Sequence, residues 1–350
     1  MTTTHGRALR PALALILLVL GPGCGVPESD DPSLAFRPPT LEGPRPWAGP
    51  DFPRGLEDFT FAVFSDLNGG EREGVFDVAV AQLGLFRPEL ILSVGDLIQG
   101  DSDDLAGLER EWDAFDERAA RAPAPVFRVG GNHDLTSATM REAWARRFGP
   151  AYYHFVYKNV LFLVLDTEDY TDERRAEIHG ARQEALELLY GGQPEVATQM
   201  AYYRMPERVT GEIGPEQSAY FQDVLARNPN VRWTMLFMHK PVWQRDDEPD
   251  FAAIEAALGD RPYTVFNGHL HSFSHTVKNG ADHIMLGTTG GAQSSSDERA
   301  FDHITLVTVT GTGPRIAHVR LDGILDETGH IPLGGDTLCF QASRCGGGAW

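Results

Sequence analysis

The chain has 350 residues, 42% of them apolar, 10% aromatic and 23% charged, with a formal net charge of −20. A chain of that length buries roughly three quarters of its unfolded surface and folds without a dense disulfide framework, and the composition excludes disordered, collagen-like and coiled-coil classes. The acid excess also excludes a broad basic face for a nucleic-acid duplex, which needs clustered Lys and Arg.

In chain order, Arg7 and Arg10 precede an unbroken apolar run of nine residues, Ala12 to Leu20. That run is too short to span a bilayer and suits the apolar core of a signal peptide. Gly21-Pro22-Gly23-Cys24 follows, so residues 1–23 are expected to be a lipoprotein-type signal and Cys24 the lipidated first residue. The alternative is an ordinary cleaved signal, which would leave a secreted soluble chain. Either way export is expected, and the lipoprotein reading places the chain on the cell envelope, held to the membrane through Cys24. Removing residues 1–23 takes away two Arg and no acid, leaving 28 basic against 50 acidic residues, a net of −22. Residues 24–56 carry eight prolines and read as an extended tether.

From Phe59 onward, short apolar runs alternate with helical stretches. Strands are predicted at 59–65, 90–94, 126–129, 160–165, 232–238, 263–266, 283–286, 303–310 and 315–320. Helices are predicted at 75–86, 105–120, 139–148, 173–190, 216–227 and 251–258, with Pro215 suited to a first turn. Strands alternating with helices indicate an α/β domain over 57–322. The late strands lack helices between them and are expected to form an antiparallel edge or a second sheet. Residues 167–213 interrupt the pattern and read as an insertion near one rim. Residues 323–350 turn Gly-rich and read as a C-terminal tail. Cys339 and Cys345, six positions apart, are expected to close a small loop in an oxidising envelope.

Five segments share one property: a predicted strand runs into a cluster of metal-type ligands. They are Ser65-Asp66-Leu67-Asn68, Gly95-Asp96, Gly130-Gly131-Asn132-His133-Asp134, Met238-His239-Lys240 and Gly268-His269-Leu270-His271. In an open α/β sheet, ligands collect beyond the carboxyl ends of the strands, so five segments distant in sequence can meet. Mixed oxygen and nitrogen donors suit Mn, Fe or Zn better than a pure oxygen cage does. A Gly-Asp after one strand is ordinarily only a turn, and His-Leu-His alone is a ligand pair or a buried polar pair. The order and spacing of all five together carry the signal.

That set resembles the calcineurin-like metallophosphoesterase superfamily, whose pattern is D-x-H, G-D, G-N-H-D/E, a lone His and G-H-x-H. The resemblance spans about Phe59 to Leu321. It implies a four-layer α/β/β/α sandwich, two mixed sheets flanked by helices, and hydrolysis of small phosphomonoesters or phosphodiesters at two divalent metal ions. Mn or Fe come first as the ions, with Mg or Zn next. It implies that Asp66 and His271 hold the first metal, that Asp96 bridges, and that Asn132, His239 and His269 hold the second. A hydroxide between the ions is then the nucleophile, and His133 faces the substrate as general acid. Asn68 stands where the family has a His, a weaker and harder donor. This leaves open a non-catalytic or single-metal binding protein with a weakened first site. Gln99 stands where the purple acid phosphatases carry an iron-binding Tyr, which excludes that branch. Gln99 and Gly100 replace the Asp and Arg with which protein Ser/Thr phosphatases orient the acid and bind phosphate. Lys240 is read as a phosphate contact or a solvated side chain, His275 as a rim residue, Trp144 and Trp243 as packing, and His303 as structural. Gly290-Gly291 is read as a close backbone approach or a turn.

Overall fold

The computed structural model describes Met1, Thr2 and residues 57–345. All of the expected signal segment but Met1 and Thr2, together with Cys24 and the whole tether, lies outside the described residues.

Among the described residues, eleven strands form two sheets. In the first, β1 (Phe59–Phe64), β2 (Leu90–Ser93) and the two-residue β3 (Val126–Phe127) run parallel. β10 (His303–Thr310) and β11 (Gly313–Arg320) add antiparallel to them, in the order β11-β10-β1-β2-β3. The second sheet has the order β4-β5-β6-β7-β9-β8. Its parallel centre is β5 (Val160–Val164), β6 (Trp233–Phe237), β7 (Tyr263–Asn267) and β9 (Ala281–Met285). Its antiparallel edges are β4 (Tyr153–Tyr157) and β8 (Ser274–Lys278).

The sheets pack face to face because both are apolar on the inner side. Phe61 of β1 meets Phe162 of β5 and Phe237 of β6, ring centres 5.4 and 6.1 Å apart, within a layer that includes Val63, Leu92, Val94 and Val307. Burying each such aromatic contributes roughly 2–3 kcal/mol. Helices α1 (Val75–Phe86), α2 (Leu105–Ala119) and α4 (Ala138–Phe148) cover the first sheet through Phe76, Trp112, Phe115 and Trp144. Helices α8 (Pro215–Arg227) and α9 (Pro249–Leu258) cover the second through Phe221, Leu225 and Ile254. The result is the expected four-layer sandwich of two mixed sheets flanked by helices. Short polar side chains start the helices: Asp104 accepts from Ala106 N–H (3.1 Å), Ser137 from Met140 N–H (3.2 Å) and Thr171 from Arg174 N–H (3.2 Å).

Between β5 and α8 the chain forms α5 (Asp172–Tyr190), α6 (Pro194–Ala197) and α7 (Glu207–Thr210), around a small core of Tyr170, Ile178, Ala185 and Tyr202. The four-residue α3 (Asn132–Leu135) follows β3. The sequence pattern also missed β4 and β8, whose side chains are half-buried or exposed. Residues 323–345, expected as a tail, pack onto the domain instead. Ile324, Ile331 and Phe340 are buried, Gln82 donates to the carbonyls of Leu321 (2.9 Å) and Ile324 (3.0 Å), and Arg72 donates to that of Cys339 (2.8 Å). Cys339 and Cys345 are disulfide-bonded.

Candidate metal centre

Each of β1, β2, β3, β6 and β7 delivers its following loop to one point between the sheets. The backbone there is unusual. Asp66 (φ 34°), Asp96 (φ 56°), His269 (φ 77°) and His271 (φ 52°) all sit in the left-handed region. For a non-glycine residue that costs on the order of 1–3 kcal/mol, and it persists where surroundings over-determine it. The neighbouring glycines are required by space. A Cβ on Gly131 would strike the Asp96 carboxylate, and one on Gly268 would strike that of Asp66.

Two donor triads result, and they share Asp96: Asp66, Asp96 and His271 form one, and Asp96, His239 and His269 the other, with the donor atoms of each triad all within 4.8 Å of one another. In the second, His239 Nε2 lies 3.1 Å from Asp96 Oδ2, 3.2 Å from Asn132 Oδ1 and 3.2 Å from His269 Nδ1. In the first, His271 Nε2 lies 3.3 Å from Asp66 Oδ1. The outward nitrogen of every imidazole is occupied. His239 Nδ1 is 2.8 Å from Val94 O, His269 Nε2 is 2.7 Å from Arg208 O and His271 Nδ1 is 2.5 Å from Ala292 O. A carbonyl only accepts, so each of those nitrogens carries an N–H, and the other nitrogen of each ring is the one turned inward and free to ligate. Two inward ring nitrogens 3.2 Å apart, with a carboxylate and an amide oxygen beside them, are a donor set for a cation that displaces any proton held there. Asn68, two residues beyond Asp66, is buried, and its backbone N–H donates to Asp96 O (3.2 Å). Its Nδ2 donates to Leu97 O (2.9 Å), leaving Oδ1 as the atom it can offer a metal.

The charges follow the same pattern. Burial alone would raise the Asp96 carboxyl, but the His239 and His133 imidazoles hold it well below the usual range. Burial opposes charge on His239, yet Asp96 outweighs it and lifts the imidazole to about 9. Burial, then the neighbouring His239 and Lys240, push His269 well down. Burial and the Asp96 charge push Asp134 up to about 8. Asp134 accepts N–H bonds from Gly131 (2.8 Å), Leu97 (3.0 Å) and Ile98 (3.2 Å), and so ties the loop after β3 to the loop after β2.

His133 lies beside this cluster. Its N–H donates to Asp96 Oδ1 (2.9 Å), and its Nδ1 is 2.6 Å from Gln99 O and 3.2 Å from Asp101 Oδ2. Its Nε2 is 3.1 Å from an Arg182 guanidinium nitrogen. Sequence reasoning missed Asp101, Arg182 and Tyr202. Asp101 was within reach, in the loop that carries Asp96; nothing in the sequence separates Arg182 from Arg174 and Arg175 on the same helix.

Lys240 is neither a phosphate contact nor solvated. It is 1% exposed and pairs with the equally buried Glu168 at 2.5 Å. His275 is on the exposed edge strand β8, paired with Asp282 at 2.7 Å. Trp144 belongs to the helical core, Trp243 donates to Asn267 Oδ1 (3.1 Å), and His303 is buried under β11. Gly291 is a close approach: a Cβ there would stand 2.7 Å from Asn68 O.

Residues 59–273 match the family model described as calcineurin-like phosphoesterase. The chain belongs to this family. Calcineurin-like phosphoesterases hydrolyse phosphoesters with divalent metal at a dinuclear site, and this chain is a phosphoesterase of that kind. No curated protein matches the chain. Among solved structures, purple acid phosphatase PPD1 from yellow lupin (Lupinus luteus) seeds is similar at a TM-score of 0.50 and 13% identity, over 77% of this chain and 53% of that one. A dimetal phosphatase from Danio rerio is similar at 0.49 and 15%, over 75% of this chain and 98% of that one. PhoD is similar at 0.48 and 13%, over 76% and 69%. At 13% identity the likeness to the lupin enzyme is one of fold alone.

Proposed function

We propose that this phosphoesterase hydrolyses small phosphomonoesters or phosphodiesters at two ions, with Mn or Fe as the natural metals. Asp66, Asn68 and His271 would hold the first ion, Asn132, His239 and His269 the second, and Asp96 both. The observation that carries this reading is the pair of triads sharing Asp96, each imidazole turned inward by a backbone carbonyl. When bound, two divalent ions supply Lewis-acid charge to the phosphoryl oxygens and acidify the attacking water. Asp66 and Asp96 contribute two negative charges, so an occupied site is a local positive region on a chain of net charge −20. The Nδ1–H of His133 is committed to Gln99 O, so Nε2, which faces Arg182 in the substrate-free chain, is the ring nitrogen that can exchange a proton with the substrate. From there His133 hands a proton to the leaving oxygen, a task typically worth 10²–10⁴-fold. The mixed nitrogen and oxygen donors favour Mn and Fe over a hard ion held by oxygen alone.

We also propose that the chain is exported and held on the cell envelope by lipid on Cys24. The apolar run before Cys24 supports this reading. The functional test is a screen of aryl and alkyl phosphomonoesters and phosphodiesters with Mn, Mg, Zn and Fe added separately. Turnover of at least one class that depends on added metal is expected. No turnover of either class with any ion would defeat the proposal.

A further inference from the structure

The insertion between β5 and α8 does more than border the site. Its helix α5 sends Arg182 inward to a position only 7% exposed. The guanidinium fork grips Asp101 with two bonds, Nε to Oδ1 (2.6 Å) and one terminal nitrogen to Oδ2 (2.7 Å). That same terminal nitrogen is 3.1 Å from His133 Nε2, and the other donates to the Tyr202 hydroxyl (2.6 Å). Tyr202 belongs to the insertion's own core, so the fork is fixed from both sides. Asp101 is tied in turn by Gln183 of α5, which donates to its carbonyl (3.1 Å).

An arginine can only donate. Facing it, His133 Nε2 is therefore a lone pair and Nδ1 carries the hydrogen, which goes to Gln99 O. Both ring nitrogens are pinned, one by the domain and one by the insertion. This is the form His133 takes once its Nε2 proton has gone to a leaving oxygen. Before that transfer the ring carries a second hydrogen on Nε2, Asp101 beside Nδ1 suits its charge, and Arg182 keeps its bonds to Asp101 and Tyr202; after it, Arg182 donates to the freed Nε2.

We propose that Arg182 is a positioning residue for His133, and that the insertion is thereby part of the hydrolytic site. This rests on the assignment of His133 to the substrate side. It makes Arg182 irreplaceable by lysine: a single ammonium can stay beside Asp101 but cannot also hold the imidazole edge.

The test is a double-mutant cycle on the metal-loaded full chain with Arg182→Lys, Arg182→Gln and His133→Ala. Arg182→Lys should keep metal content and melting temperature while lowering kcat by about 10–100-fold, the usual weight of an outer partner of a site residue. The loss should be greatest for substrates with poor leaving groups. Combined with His133→Ala, neither Arg182 substitution should lower kcat further by more than about twofold. Multiplying losses, or full activity in Arg182→Lys, would overturn the proposal. A second readout is independent of turnover. In the substrate-free, Mg-loaded (diamagnetic) chain, the ring ¹⁵N resonances of His133 should show hydrogen on Nδ1 and none on Nε2 in the natural protein, and a mixture of tautomers in both Arg182 variants. An unchanged pattern would overturn the proposal even if no substrate were turned over, whereas absent turnover with the expected resonances would count against the function and not against Arg182.

Discussion

Replacing His303 with leucine should make the protein less sensitive to acid. His303 opens β10 opposite Arg320, and its ring lies 5.7 Å from that of His318 on β11, walled by Phe273 and Phe301. Its Nδ1 is 3.3 Å from Phe301 O, and its Nε2 has no hydrogen-bond partner among the described residues, so leucine orphans little. Burial, then the nearby His318, push the His303 imidazole down to about 3, and Arg320 adds to this. Burial and His275 on β8 push His318 down to about 4. An unfolded chain takes up a proton on each near pH 6.5, while the folded chain does not until far lower. The unfolded state therefore holds more protons between about pH 6.5 and 3, and stability must fall as pH falls through that window. Between pH 7 and 5 the loss from His303 alone is about 2 kcal/mol, against total stabilities of roughly 5–15 kcal/mol. His318, partly exposed, adds less. The assay is urea unfolding of wild type and His303→Leu at pH 7, 6 and 5 with the same metal present. Protonation of the metal ligands affects both proteins and cancels in the difference. The stability gap between them should shift in favour of the variant by about 2 kcal/mol from pH 7 to pH 5. Parallel curves would refute the argument that His303 is buried uncharged.

Asn68→His should tighten the first ion and favour Zn, because imidazole is the stronger and softer donor at unchanged charge. The natural protein should lose one ion to mild chelation while the variant keeps both; two equally tight zinc ions in both proteins would show that another group fills the position. Cys24→Ala should release the protein from membranes without altering its specific activity, and a wild type already soluble after export would refute the lipid anchor.

The central strands could be read from sequence because each is a mostly apolar run, broken only by Thr and largely buried on both faces, that stops shortly before a ligand-type residue: Phe59–Phe64 before Asp66, Trp233–Phe237 before His239, Tyr263–Asn267 before His269. The edges β4 and β8 lack that signal, since His154, Ser274, His275 and Lys278 mix polar with apolar where one side meets solvent. Lys240 was misread for a related reason. A lysine beside a ligand histidine looks like a phosphate contact, and its burial depends on Glu168, 72 positions away in the chain and visible only once β5 and β6 are paired. Arg182 has the same character. Its identity on a charged helix says nothing until Asp101 and His133 are placed against it. The packing of residues 323–345 also escaped the sequence, because short 3₁₀ turns such as Pro332–Thr337 carry no period to detect.

The proposed two-metal site depends most directly on Asp96, the carboxylate common to both triads. The decisive measurement is metal content after equilibrium dialysis against excess Mn, for the natural chain and for Asp96→Ala, with melting curves confirming that both are folded. A shared carboxylate requires close to two ions per natural chain and loss from both positions in the variant, with activity abolished. Two ions retained by a folded Asp96→Ala protein would contradict it.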